Sequence, residues 1–294
     1  MSASTTRFPS VPPLPATLRL GAVELIVGDL DRSVTFYQDA LGLRLRHRDS
    51  LCASLGVDDE DLVVLHEDRQ ARPAGRHAGL YHFALLFASR EELAHAALRL
   101  AATGTPIDGA SDHGVSEAIY LSDPDGNGIE LYADRPRERW PAPTGPDERV
   151  GMYTMALDVR ALLPVAEGQE LRRHAAAGLT VGHVHLHVSD LERSLAFYRD
   201  LLGFEVMALL PSAAFVAAGG YHHHLGFNTW RGQDVSFAPP HSVGLHHWTM
   251  LLDTADQVAA LRVRVGEAGH DAKGQGNGFS VRDPSGNVVL IRPA

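Results

Sequence analysis

The sequence predicts an α+β fold of four βαβββ modules forming two barrel-like domains. Two observations predict it: a strand–helix unit that occurs twice, and a longer unit closed by a tight turn that also occurs twice. Residues 21–46 read GAVELIVGDLDRSVTFYQDALGLRLR, and residues 182–207 read GHVHLHVSDLERSLAFYRDLLGFEVM. Both open with the alternating pattern of a half-buried strand. An Asp-containing turn, a helix and a glycine stop follow. The helical stripe is Leu30, Val34, Tyr37 and Leu41 before Gly42, then Leu191, Leu195, Tyr198 and Leu202 before Gly203. Residues 79–134 and 244–292 form the other pair. They open GLYHFALLF and GLHHWTMLL, pass through REELAHAALRLAATG and DQVAALRVRVGEAG, and close with YLSDPDGNGIELYADR and SVRDPSGNVVLIR. DPDGN and DPSGN are tight-turn sequences between strands.

The repeats divide the chain. Residues 1–16, MSASTTRFPSVPPLPA, read as a Pro-rich disordered leader without the apolar core of a secretory signal. Residues 17–134 hold modules one and two, 135–179 a linker carrying WPAPTGP, and 180–294 modules three and four. The 294 residues suffice for two cores. A formal charge of −10 offers no source for phosphate neutralisation, so no nucleic-acid partner is expected. No apolar run approaches the length of a membrane span. Cys52 is the only cysteine, which excludes an intramolecular disulfide and fits a reducing cytoplasm. A homo-oligomer, taken as a dimer, is the expected state. The unusual number is 17 histidines, many of them clustered. Imidazole is the commonest metal-ligating side chain.

The four-module pattern resembles the vicinal-oxygen-chelate superfamily over nearly the whole chain from residue 18. In that superfamily, paired modules curl a sheet around a cavity and metal ligands project inward from the strands. Membership alone leaves dioxygenases, glyoxalases, epimerases and drug-binding resistance proteins open. On this resemblance, ligands belong near the start of each module's first strand and on its last strand, four residues after the turn glycine. Module one has Ala22 at the first place. Module two has His82 and Glu130, module three His183, and module four His247 with Leu290 in place of the carboxylate. Neither sequential pair of modules has a full set. Pairing modules two and three gives His82, Glu130 and His183, the two-His-one-carboxylate set of non-haem Fe(II) oxygen chemistry. Modules one and four would then form a metal-free structural barrel, with His247 a relic that has no acid beside it. His246 is read as packing within module four. A lone strand histidine is more often a hydrogen-bonded core residue than a ligand. Glu130 differs, because a carboxylate between Ile129 and Leu131 is costly unless paired or metal-bound.

Residues 112–132, DHGVSEAIYLSDPDGNGIELY, resemble the closing motif of type I extradiol ring-cleaving dioxygenases of the catechol 2,3-dioxygenase kind, the homoprotocatechuate branch above all. That resemblance makes Glu130 the carboxylate ligand and has Tyr120 and His113 hold substrate hydroxyls. The stretch from His113 to Asp123 is shorter than the family's, and Ser111 and Asp112 stand where that branch has a carboxylate-binding arginine. In GGYHHHLGFN the family's catalytic histidine falls on His223, whose implied role is acid–base. Read as a strand, this segment puts His222 and His224 on the face opposite His223. His185 and His187 share a strand face with His183 and are candidates for the substrate pocket. Arg135 and Arg137 are candidates for holding a substrate anion, with solvated arginines the default.

The reading implied is an Fe(II)-dependent extradiol dioxygenase that opens a catechol-type ring, with a small aromatic diol and O2 as substrates. Mn(II) suits the same donors. A hydroquinone-cleaving dioxygenase would use the same site. A glyoxalase- or isomerase-like metalloenzyme usually presents two acids per site, and one is found here. A metal-free binding or resistance protein has no need of Tyr120, His113 and His223 together.

Overall fold

The structure is a computed structural model that describes residues 11–146, 148–166 and 168–294. Residues 1–10 of the expected leader lie outside the described residues. Residues 11–16 correct that expectation. Leu14 is buried, and its N–H donates to the Gly203 carbonyl at 3.0 Å, so this stretch docks on the core.

Module one contributes β1 (Arg19–Val27), α1 (Leu30–Asp39), β2 (Arg44–Arg48), β3 (Cys52–Val57) and β4 (Glu60–Glu67), and a short β5 (Arg72–Pro73) follows. Module two contributes β6 (Gly79–Phe87), α2 (Arg90–Thr103), β7 (Gly109–Asp112), β8 (Ser116–Ser122) and β9 (Gly128–Asp134). The linker holds β10 (Met155–Ala156) and α3 (Val159–Leu162). Module three contributes β11 (Thr180–His187), α4 (Leu191–Leu195) continuing into a π-helical stretch Ala196–Leu202, β12 (Glu205–Leu210), β13 (Ala213–Ala217) and β14 (Leu225–Asn228). Module four contributes β15 (Ser242–Leu252), α5 (Ala255–Glu267), β16 (Lys273–Gln275), β17 (Gly278–Arg282) and β18 (Val288–Pro293).

Each helix starts where a side chain caps it. Asp29, Ser89, Asp190 and Thr254 accept from the backbone N–H three residues on. Such a cap is worth about 1 kcal/mol. The helix ends are tied across modules. Buried Arg99 of α2 donates to the Ala40 and Leu41 carbonyls, and Arg264 of α5 donates to the Leu202 carbonyl. Orphan carbonyls at a helix C-terminus gain most from such a cation.

The strands form two sheets. One runs β16-β17-β18-β15-β1-β4-β3-β2, with β5 beside β15, and so joins modules four and one. The other runs β10-β7-β8-β9-β6-β11-β14-β13-β12 and joins modules two and three. The central seam of each is antiparallel, β1 with β15 and β6 with β11. Buried Trp248, Tyr37, Tyr198, Phe83 and Phe227 anchor the core. Among the described residues, no helix is long and apolar enough to cross a membrane.

The linker is more than a tether. Met155 pairs with Asp112 on β7, at one edge of the second sheet. Glu148 bridges Ala208 on β12, the opposite edge, and the Arg149 N–H donates to the Met207 carbonyl at 2.7 Å. One segment thus covers both free edges of the sheet. Leu162 and Ala166 then bury themselves beside α2.

The repeated turns lock the sheets together. Asp123 of DPDGN accepts from the Asp125 and Asn127 N–H groups and from the Tyr37 hydroxyl of α1, at 3.0 Å. Asp283 of DPSGN repeats this with Ser285, Asn287 and the Tyr198 hydroxyl at 2.9 Å. All four side chains of these two pairs are buried. Tyr37→Phe and Tyr198→Phe each remove a donor from a buried carboxylate, and each is expected to destabilise the fold by about 1–3 kcal/mol. Denaturant titration measures this, and unchanged midpoints in both variants would refute the lock.

Candidate metal centre and cavity

The second sheet brings ligand-type residues from both sides of the linker onto one face. In register, His183 of β11 lies opposite Ala84 of β6, and Ala84 lies opposite Glu130 of β9. His82 is two residues along β6 from Ala84 and shares its face. The β11 strand reaches this register through a shift between Val181 and His183. Gly182 sits there because any Cβ would collide with the Tyr132 hydroxyl.

His82, Glu130 and His183 converge. Glu130 Oε2 lies 3.1 Å from His82 Nε2 and 3.0 Å from His183 Nε2. All three side chains are buried, and their ligand atoms lie within 4.8 Å of one another. Burial raises the Glu130 carboxyl pKa, but His183 and then His82 outweigh it and hold the group well below the usual carboxylate range. Burial lowers the His183 pKa, against the pull of Glu130. Among the described residues, no Arg or Lys pairs with Glu130. His82 Nε2 has no well-formed hydrogen bond. Two imidazoles converging on a buried carboxylate form a donor set that a divalent metal fits in charge and in ligand type.

A cavity of about 670 Å³ opens onto His82 and Glu130. His113 and Tyr120 line it, as do Met152, Tyr153 and Thr154 of the linker. His113 Nε2 lies 2.7 Å from the Tyr120 hydroxyl, and its Nδ1 lies 3.0 Å from the Tyr153 carbonyl. A carbonyl only accepts, so Nδ1 carries the proton and Nε2 accepts from Tyr120. Burial first, and the Glu130 carboxylate second, raise the Tyr120 pKa and keep the phenol protonated.

His185, His187, Phe215 and Trp230 line the cavity elsewhere. Asn228 organises both histidines. Its Nδ2 donates to His185 Nε2 at 2.9 Å, and its Oδ1 accepts from His187 Nδ1 at 2.9 Å. Burial, more than their charged neighbours, drives the His185 pKa well down and the His187 pKa to about 4. Tyr81 is the extra residue of a bulge between the pairs His185–His82 and Leu186–Leu80. Its ring packs edge-on against Trp230 at 5.3 Å and His185 at 5.1 Å.

His223 reaches the cavity beside His183, ring centroids 4.1 Å apart. The strand reading of its segment is corrected here. Residues 218–224 form turns and bends, with Gly219 and Gly220 at φ 63° and 69°, and β14 begins only at Leu225. Alternation therefore does not hold, and His222 Nδ1 lies 2.8 Å from His223 Nδ1. His222 Nε2 in turn lies 2.9 Å from Asp134 Oδ1. The carboxylate accepts from His222, so His222 Nδ1 accepts from His223, and His223 Nε2 keeps its lone pair. Burial, then His183 and His222, lower the His223 pKa well below its ordinary value. Asp134 also accepts from the Tyr221 hydroxyl at 2.9 Å, which meets the Tyr132 hydroxyl at 2.8 Å.

Arg135 is not a substrate-pocket residue. It does not line the cavity, and its Nη2 pairs with Asp112 at 2.8 Å and Glu117 at 3.1 Å. Buried Glu117 needs that charge. Arg137 lies over the Trp140 ring at 5.4 Å. The relic reading of His247 also fails in one respect, because Glu24 Oε1 lies 3.3 Å from its Nε2. His246 meets His247 of its own module, Nδ1 to Nδ1 at 2.8 Å, and also the His66 ring of module one at 4.9 Å. Asp134, His222, Asn228, Tyr81, Trp230 and Glu24 escaped the sequence reading. Of these, Asp134 carried a signal: it lies four residues beyond Glu130 on one strand, hence on the same face.

Residues 19–131 and 180–291 match the Glyoxalase/Bleomycin resistance protein/Dioxygenase superfamily. The chain belongs to that superfamily. It is 40% identical over 279 residues to a catechol-2,3-dioxygenase from Bacillus subtilis (strain 168), covering 92% of this chain and 95% of the relative. Solved structures share the fold. Glyoxalase I from Zea mays superposes with a TM-score of 0.57 at 19% identity, covering 94% of this chain and 92% of that one. The cppA protein from Streptococcus pneumoniae TIGR4 does so with 0.59 at 15% identity, covering 94% and 99%.

Metal removal tests the centre. Stripping the protein with a chelator is expected to lower its melting temperature, and Mn(II) to restore it. At about a hundred times Kd, one bound ion adds ~2.7 kcal/mol. Glu130→Ala is expected to lose most of this Mn(II)-dependent increment; an undiminished increment would contradict the centre.

Proposed function

We propose that this chain is an Fe(II)-dependent extradiol dioxygenase that cleaves a catechol-type ring with O2. The observation that carries the proposal is convergence at one cavity. His82 and Glu130 of the three-residue ligand cluster, the Tyr120–His113 pair and the separately wired His223 all line it, and His183 completes the cluster behind them. The likeness to a Bacillus subtilis catechol-2,3-dioxygenase over almost the whole chain supports it. Mn(II) in place of Fe(II) is compatible with the same donors.

His82, His183 and Glu130 would hold the metal. Bound there, Fe(II) would supply open positions for a bidentate diolate and for O2, and a path for charge between them. The protein residues do the rest. The cavity is of a size that takes one small ring. Tyr81, Phe215 and Trp230 offer aromatic faces and edges against which a planar substrate packs. On substrate binding Tyr120, held protonated, turns its O–H from His113 Nε2 to a substrate oxygen. His113, with Nδ1 tied to the Tyr153 carbonyl, presents Nε2 to the same region. His223 is the proton carrier. Its low pKa leaves Nε2 free to take a substrate proton at neutral pH, and the Asp134–His222 chain holds its ring and steadies the charge it gains. His185 and His187, neutral and held by Asn228, add polarity without charge.

Anaerobically purified protein loaded with Fe(II) is expected to consume O2 on addition of catechol and to form a yellow ring-opened product. His82→Ala, Glu130→Ala and His183→Ala are expected to abolish uptake. His223→Gln is expected to lower kcat by about 10²–10⁴ with metal retained. Full activity in His183→Ala would end the cross-half reading.

A further inference from the structure

We propose that the sheet of modules one and four carries a second divalent-cation site, built from Glu24, His246 and His247 and suited to Zn(II). The site does not depend on the function proposed above. Its residues come from the β1–β15 seam, and none of them lines the cavity of the first centre.

The seam shows how the site forms. Glu24 of β1 pairs in register with His247 of β15, and the next pair is Leu25 with Leu245. His246 is therefore the extra residue of a bulge. The bulge defeats strand alternation, so His246 and His247 meet on one side of the seam. Glu24 Oε1 lies 3.3 Å from His247 Nε2, and Glu24 Oε2 lies 3.8 Å from His246 Nδ1. The ligand atoms of the three residues all lie within 4.8 Å of one another.

A second observation points to a ligand at this place. His247 is 3% exposed, and its Nε2, aimed at Glu24, has no hydrogen-bond partner of good geometry. Buried ring nitrogens are rarely left so. The spacing between His247 and Glu24 is long for a hydrogen bond. It is close to the ~3.4 Å that separates two ligands of a tetrahedral ion with bonds of ~2.1 Å. His66 Nε2 lies 2.6 Å from Glu24 Oε2 and orients the carboxylate, as outer partners of metal ligands do. His246 Nδ1 meets His247 Nδ1 at 2.8 Å, and because the ring is half exposed it has room to turn from that contact toward an ion, with a water completing the shell.

Two imidazoles, one carboxylate and a water are a zinc-type set. Among divalent ions, zinc binds nitrogen-rich sites more tightly than iron or manganese. The three residues sit on the β1–β15 seam, so the role assigned to the ion is to pin β1 to β15. The site is not a copy of the first. Its carboxylate comes from a first strand, and Leu290 occupies the position that Glu130 holds in module two.

The test is Zn(II) stoichiometry of the full chain, by equilibrium dialysis of metal-free protein in a zinc buffer followed by elemental analysis. Wild type is expected to hold two ions per chain. Glu24→Gln and His246→Ala are each expected to hold one, and Glu130→Gln also one. Glu24→Gln is nearly isosteric and His246 is half exposed, so circular dichroism should report native folds. Replacing Zn(II) with Co(II) adds a visible spectrum whose intensity halves in the same variants. Unchanged stoichiometry in both Glu24→Gln and His246→Ala would overturn the second site and leave a His–Glu hydrogen-bond network. Failure of the first centre reads out separately, as no loss in Glu130→Gln.

Discussion

The antiparallel pairing of β6 with β11 is the constraint on which the rest depends. It joins strands from opposite sides of the linker. Without it, His82 and Glu130 have no partner for their third position, and the cavity has one wall. A slip of one residue would turn His183 to the far face. The shift at Gly182 and the bulge at Tyr81 set the register, and Gly182 accepts it because the Tyr132 hydroxyl leaves no room for a side chain. The buried Tyr–Asp contacts between helices and turns then hold the two sheets together.

The two seams are variations on one plan. Both carry a bulge one residue before a histidine, Tyr81 before His82 and His246 before His247. In the second sheet the bulged residue is an aromatic that packs on the cavity wall. In the first it is another imidazole, and the residue across the seam is Glu24 where the second sheet has His185. Small changes at matching positions thus separate a centre facing a cavity from a compact cluster at a seam.

Much of this architecture was legible from residues alone. The strand period, the Asp-containing turns before α1 and α4, and the DPxGN turns are local signals, and each has a local cause. Ligand bookkeeping across modules singled out His82, Glu130 and His183, because a carboxylate in an apolar strand demands a reason. What stayed hidden depends on bulges, turns and distant charge pairs. The HHH run was read with strand alternation, but positive-φ glycines make it a turn, which joins His222 to His223. Glu24 was invisible as a partner of His247 because the bulge and the seam register are not written in either segment. Arg135 looked available until Glu117, buried on a neighbouring strand, claimed it. The linker's composition gave no hint that it would cover both edges of a sheet.

The proposal is at heart positional: the iron it assigns would sit where the two halves of the chain meet. Anomalous diffraction at the iron edge, from crystals grown anaerobically with Fe(II), tests it most directly. The account predicts one strong iron peak bounded by His82 Nε2, His183 Nε2 and the Glu130 carboxylate. Iron-loaded crystals with no peak there, or with their strong peak elsewhere, would contradict it.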